Sequence, residues 1–227
     1  MSDERLGIPV PHWTPPSEPL PQMLDGRYVM LERLDWKKHE AALWEAFAGQ
    51  DGVWDFMPAG PFSDLPAFRA WGQSNERSTD PLFFAIFNKD AGTWQGVASY
   101  LRIAPAAGSI EVGYISFSPA LQKTRAATEA MYLMMKWAFD AGYRRYEWKC
   151  NDLNLASKGA AKRFGFTYEG TFRQALVVKG RNRDTAWFSL LDNEWPEKKL
   201  MFERWLEPEN FDEHSVQRRT LASFVQP

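Results

Sequence analysis

The chain has 227 residues, 44% hydrophobic and 25% charged, which suits one large soluble domain or two small ones and excludes a disulfide miniprotein. Its 27 basic and 29 acidic side chains leave a formal charge of −2, so the cationic surplus that a polyphosphate partner needs is missing and nucleic acid is not expected. A lone Cys150, scattered histidines (His12, His39, His214) and no apolar run near the ~20 residues that cross a bilayer argue against an internal disulfide, a metal centre and a membrane partner; a cytoplasmic location is expected.

Pro9, Pro11, Pro15, Pro16, Pro19 and Pro21 fix φ and remove backbone donors, so residues 1–26 read as an extended arm. Residues 28–34 then read as a strand, and Asp35 caps a helix that carries Ala41, Leu43, Trp44 and Phe47 and closes near Gly49. Residues 52–62 mix turn formers with aromatics before Ser63 or Asp64 opens a second helix through Phe68 and Trp71. Two readings of that loop stand together: a plug for the end of the core, or a wall of a substrate groove.

Residues 82–88, 93–103 and 109–117 are strand-like and joined by short turns, which makes them antiparallel neighbours. The clearest helix covers residues 120–141, where Ala127, Ala130, Met131, Met134, Trp137 and Ala141 recur at helical spacing and Gly142 is placed to cap it. A strand (145–150), a helix (155–164), two strands (167–178 and 183–191) and a last helix (197–206) follow. Most tryptophans fall inside these periodic segments, so they read as core rather than as a stacking surface. A strand, a long helix and another strand imply a crossover, and the expected fold class is mixed α/β with two parallel or splayed strands in a sheet otherwise made of hairpins.

In such sheets ligands collect at the carboxyl ends of strands beside the amino end of the crossover helix, here residues 111–129 and 150–157. Gln122, Lys123, Thr124, Arg125, Ala126, Ala127 and Thr128 lead into that helix, where unpaired amides and the helix dipole favour an anion. Ala126 and Ala127 permit close approach, and Lys123 and Arg125 add charge. The same residues also suit a helix end that meets only solvent. Asn154 and Ser157 open the next helix, either as a cap and polar first turn or as chemistry. Cys150 ends a strand among aromatics and reads as a packed thiol, not a nucleophile.

Four ordered segments resemble the GCN5-related N-acetyltransferases (GNAT), and among them the RimJ/RimL-like branch. They are Glu111-Val112-Gly113-Tyr114; the run from Gln122 to Ala127, in place of Gln/Arg-x-x-Gly-x-Gly/Ala with Arg125 at the first glycine; Thr128-Glu129-Ala130; and Asn154-x-x-Ser157 followed by Arg163-Phe164-Gly165-Phe166. The resemblance covers residues 27–195 and implies an acetyltransferase domain there, with residues 196–227 as a C-terminal helix and tail. It implies a GNAT fold, a mostly antiparallel sheet with splayed parallel strands flanked by helices. It further implies acetyl-CoA as donor, no metal, and direct acetyl transfer to the primary amine of a protein N-terminus or a small molecule.

The cofactor-binding set it implies is Ile115, Phe117, Gln122, Lys123, Thr124, Arg125, Ala126, Ala127, Thr128, Asn154 and Ser157, with Ser157 also donating a proton to the leaving sulfur. Glu111 is either the general base, acting through a water in a buried setting, or a structural carboxylate paired with an Arg or Tyr. Glu129, one turn into the long helix, reads as structural. A non-catalytic CoA-binding module is the alternative, and Arg125 is the feature that favours it. Residues 52–62 and the hairpin around residues 179–183 are expected to shape the acceptor pocket. Exposed late strands leave a homodimer open as an assembly.

Overall fold

In the computed structural model, which describes residues 6–17 and 20–224, eight strands form one sheet. They are β1 (Met23–Asp25), β2 (Val29–Arg33), β3 (Leu82–Asn88), β4 (Thr93–Ala104), β5 (Ser109–Phe117), β6 (Arg145–Asn151), β7 (Thr167–Val178) and β8 (Arg181–Leu191). Five α-helices cover the sheet: α1 (Trp36–Phe47), α2 (Leu65–Glu76), α3 (Arg125–Asp140), α4 (Leu155–Arg163) and α5 (Trp195–Trp205). The strand order is β1-β2-β3-β4-β5-β6-β8-β7, and β5 and β6 are the parallel pair in an otherwise antiparallel sheet. The helical crossover α3 joins those two, as a parallel connection requires.

The parallel ladder runs only from Ser109↔Arg145 to Val112↔Trp148. Beyond it β5 stays with β4 (Ser116↔Val97, Phe117↔Gly96) and β6 stays with β8 (Lys149↔Trp187, Asn151↔Thr185), so the two strands part. A register shift between Val97 and Ser99 and a left-handed Tyr114 (φ 48°) mark a bulge at the parting point, which bends β5 away. Gly113 permits this crossing, because a Cβ there would lie 2.9 Å from Leu101 Cδ2.

Alternation along the strands sorts the core into two layers. Phe84, Ile86, Ala98 and Tyr100 face α3, α4 and α5, while Phe83, Ala85 and Val97 face α1 and α2. Trp36, Trp54 and Trp94 are buried in the second layer and Trp148, Trp195 and Trp205 in the first, in keeping with their periodic placement. The long helix starts later than its periodicity predicts. Leu121 and Gln122 amides both donate to Ser118 O, Lys123 turns left-handed (φ 61°), and Thr124 caps α3 by accepting from the Ala127 amide. Its end is as expected, with Gly142 left-handed at φ 96°.

The packed unit runs past residues 27–195 at both ends. Strand β1 comes from the segment read as an arm, since no proline follows Pro21 to stop residues 23–25 from pairing. From the C-terminal side Phe202, Trp205, Phe211 and Leu221 are buried in the main layer. Residues 1–5 and 18–19 of the arm and 225–227 of the tail lie outside the described residues. Among the described residues no helix is long and apolar enough to cross a membrane.

Candidate active site

Where β5 and β6 part, a cleft of about 960 Å³ opens and extends from the tip of α3 to the loop of residues 52–62. At the α3 tip the amides of Lys123, Arg125 and Ala126 find no acceptor among the described residues, while the Ala127 amide is taken by Thr124 Oγ1 at 3.1 Å. Ala126 is buried, so its amide is an orphaned donor at the positive end of a helix. Gln122 turns its Nε2 inward to donate to Phe117 O at 2.9 Å, and Thr128 accepts from Arg163 Nη1 at 3.2 Å.

Arg125 leaves this tip. Its Nε and Nη2 donate to Asp90 Oδ2 and Oδ1, both at 2.9 Å, and its guanidinium lies 4.1 Å from the Tyr28 ring centre. The Asp90 carboxylate holds the guanidinium pKa above its ordinary value. The side chain standing at the glycine position is thus drawn to the β3–β4 turn, and the amides behind it stay open. Glu129 anchors the helix: its carboxylate accepts from the Arg27, Tyr28 and Val29 amides at 2.8, 2.6 and 2.9 Å. A Cβ on Gly26 would approach Glu129 Cδ to 2.6 Å, so the β1–β2 turn needs that glycine.

Across the cleft, α4 begins with Asn154, whose Oδ1 accepts the Ser157 amide at 3.0 Å. Ser157 Oγ in turn accepts from Trp148 Nε1 at 2.9 Å. An indole N–H can only donate, so the hydroxyl keeps its own proton for another acceptor. Cys150 is buried, and burial pushes its thiol pKa up against the opposing pull of the nearby Ser157 hydroxyl. A neutral thiol is the result. Ile115 and Phe117 line the cleft from the freed edge of β5.

At the other end Glu111, 3% exposed, is held by Arg102 Nη1 at 2.7 Å and Lys149 Nζ at 2.8 Å. Lys149 also contacts Glu147 at 2.7 Å and lies 3.8 Å from the Trp187 ring centre. Glu111 is therefore not a lone buried acid: among the described residues its partners are one arginine and one lysine, with no tyrosine. Arg102 reaches it from a second bulge in β4 (φ 47°), where Asp80 accepts the Arg102 and Ile103 amides at 2.8 and 3.1 Å. The 52–62 loop faces two ways. Trp54 is buried against Phe47, Phe62 and Trp71, whereas Val53, Phe56, Met57 and Pro58 face the cleft. Lys179 of the late hairpin donates to Trp54 O at 2.8 Å and braces the loop.

Sequence reasoning missed Arg102, Lys149 and the tail residues Phe211 and Ser215 to Gln217, all of which line the cleft, while Arg183, which also lines it, belongs to the hairpin expected there. Lys149 holds a regular polar place in the alternation of β6, in line with Arg145 and Glu147, so nothing local marked it. The tail gives no local signal, because it is brought in by contacts such as Trp205 Nε1 to Gln217 Oε1 at 2.9 Å.

The acetyltransferase (GNAT) domain model matches residues 29–167. The crystal structure of a GCN5-related N-acetyltransferase from Brucella melitensis aligns with a TM-score of 0.92 at 45% identity, covering 95% of this chain and 99% of that one. A Salmonella typhimurium acetyl transferase that modifies the N-terminal serine of 50S ribosomal subunit protein L7/L12 shares the fold, with a TM-score of 0.64 and 20% identity over 74% of this chain and 98% of that one. The uncharacterized N-acetyltransferase YnaD of Bacillus subtilis is 22% identical over 172 residues, 74% of this chain and 99% of its own length. Because the domain match spans more than half of the sequence and a 45%-identical relative spans nearly all of it, the chain belongs to the GNAT family and is an acetyl-CoA-dependent N-acetyltransferase.

Proposed function

We propose that the enzyme transfers the acetyl group directly to the primary amine of a peptide N-terminus or a small molecule, with no acyl-enzyme. The observation that supports this best is the pairing, within one cleft, of an anion-ready helix tip with a serine hydroxyl whose proton the Trp148 bond does not use. The residues fit acetyl-CoA. Lys123 and Arg125 of the cleft lining, with the unpaired Arg125 and Ala126 amides, suit its pyrophosphate, and Ile115, Phe117 and Asn154 suit its pantetheine arm. When bound, acetyl-CoA supplies an activated thioester. Ser157, steadied by Trp148, gives its proton to the departing sulfur. The feature that favoured a mere CoA-binding module is weakened, since Arg125 is engaged by Asp90.

Titration calorimetry with acetyl-CoA, run beside thiol release over a panel of amines, tests the reading. Binding without release on any amine would refute transfer. Ser157→Ala should lower kcat by about 10²-fold with acetyl-CoA affinity kept; full turnover would remove Ser157 from the mechanism. Glu111 carries two roles with separate outcomes. As base it accepts the amine proton through a water, and Glu111→Gln then loses the acidic limb of the pH–rate profile. As anchor of Arg102 and Lys149 it leaves the profile unchanged and costs stability. For the peptide arm, the Salmonella relative's N-terminal serine gives the first sequence to try.

A further inference from the structure

The charges at the acceptor end do not cancel. Glu111 is matched by Arg102 and Lys149, Glu147 by Lys149 and Arg145, and Glu169 by Arg145. Arg183 lines the same cleft from β8, and its side chain makes no hydrogen bond or ion pair with any described residue. Its Nε is buried and orphaned. Its electrostatic neighbours are Cys150, Glu111, Arg102 and Tyr114, all around the parting of β5 and β6 and none at the α3 tip. A half-buried guanidinium loses hydration without recovering it from protein, and a bidentate anion is the ligand that restores those bonds.

Resting on the transferase reading, we infer that the acceptor amine carries a carboxylate and that Arg183 binds it, which makes Arg183 a specificity-determining residue. The carboxylate has two sources with the same chemistry: the α-carboxylate of a free amino acid, or an acidic side chain just after a peptide N-terminus. No covalent step involves Arg183; it holds the anion while the amine faces the thioester.

The test compares matched acceptors in the full-length enzyme: amino acids against their carboxamides, and peptides with Glu against Gln at the second position. Expected is at least a tenfold higher kcat/KM for the carboxylate member of one pair, with the responding pair naming the source. R183Q should abolish that preference and R183K should keep part of it, while acetyl-CoA affinity by calorimetry stays at the wild-type value. Equal use of both members by the wild type, or a preference that survives R183Q, overturns the inference; the wild-type comparison decides even if R183Q does not fold. Direct binding of the acceptors, read by calorimetry with CoA present, separates the two readings. No thiol release together with carboxylate binding lost in R183Q would defeat the transferase reading and leave the anion site standing. Thiol release without any carboxylate preference would do the reverse.

Discussion

At the α3 tip the groups facing the cleft are backbone amides of residues close in sequence, whereas at the parting of β5 and β6 they are side chains drawn from β4, β5, β6 and β8. Backbone donors are fixed by the helix itself, so almost any side chain can stand there provided it turns away, as Arg125 does toward Asp90. Side-chain charges have no such freedom. Each of Arg102, Glu111 and Lys149 is placed by a partner, and changing one leaves another uncompensated. A helix tip thus tolerates sequence departure that a charge network does not.

The largest effect should come from the anchor that holds the tip in place. Glu129→Ala strips the acceptor from three amides, two of them buried, and a loss of about 4 kcal/mol is expected in urea denaturation. A loss under about 1 kcal/mol would mean the tip is held by packing alone. Next is the layer behind the acceptor end, where burial lowers the His39 pKa from 6.5 to about 4. The folded state keeps this imidazole neutral while the unfolded chain protonates it near 6.5. Its contribution is therefore complete above pH 6.5 and is lost as pH falls toward 4, up to roughly 3 kcal/mol. Denaturation of wild type against His39→Phe over that window should show a steeper loss of stability in the wild type, the difference being the His39 share.

Smaller changes contrast the two ends directly. Lys123→Glu places a negative charge where the anionic pyrophosphate would sit and should weaken acetyl-CoA binding about 10- to 30-fold by calorimetry. Unchanged affinity would move the pyrophosphate elsewhere. Arg125→Gly, which restores the family glycine, should alter that affinity less than about threefold and cost about 1 kcal/mol of stability, through the lost Asp90 pair and Tyr28 contact. A large gain in affinity would show that Arg125 does obstruct the tip.

Strands β3, β5 and β7 were legible to the residue, because alternation and flanking turn formers state their limits locally. The start of α3 was misjudged by several residues, since helical periodicity continues into residues 120–124 while the left-handed Lys123 and the Thr124 cap terminate the helix. Among the residues that line the cleft, those of the tip (Gln122, Lys123, Arg125, Ala127, Thr128) and of the α4 start (Asn154, Ser157) lie close together in sequence and could be grouped from it, whereas Thr124 and Ala126 do not line the cleft. The Ser157–Trp148 bond is also short in sequence, but its geometry depends on how α4 leans on β6. Arg102 was invisible because a bulge held by Asp80 reverses the side its residue would face in a regular strand.

By itself, then, the sequence determined the order of elements, the crossover, the parallel pair it demands and the helix tip that follows. All of these rest on periodicity, capping and backbone dipoles that act within a few residues. The tertiary structure alone decided which charges meet Glu111, where Arg125 turns, that Arg183 stands unmatched and that the tail closes one side of the cleft. Those outcomes depend on distances between side chains far apart along the chain, which are fixed only when the strands take their places in the sheet.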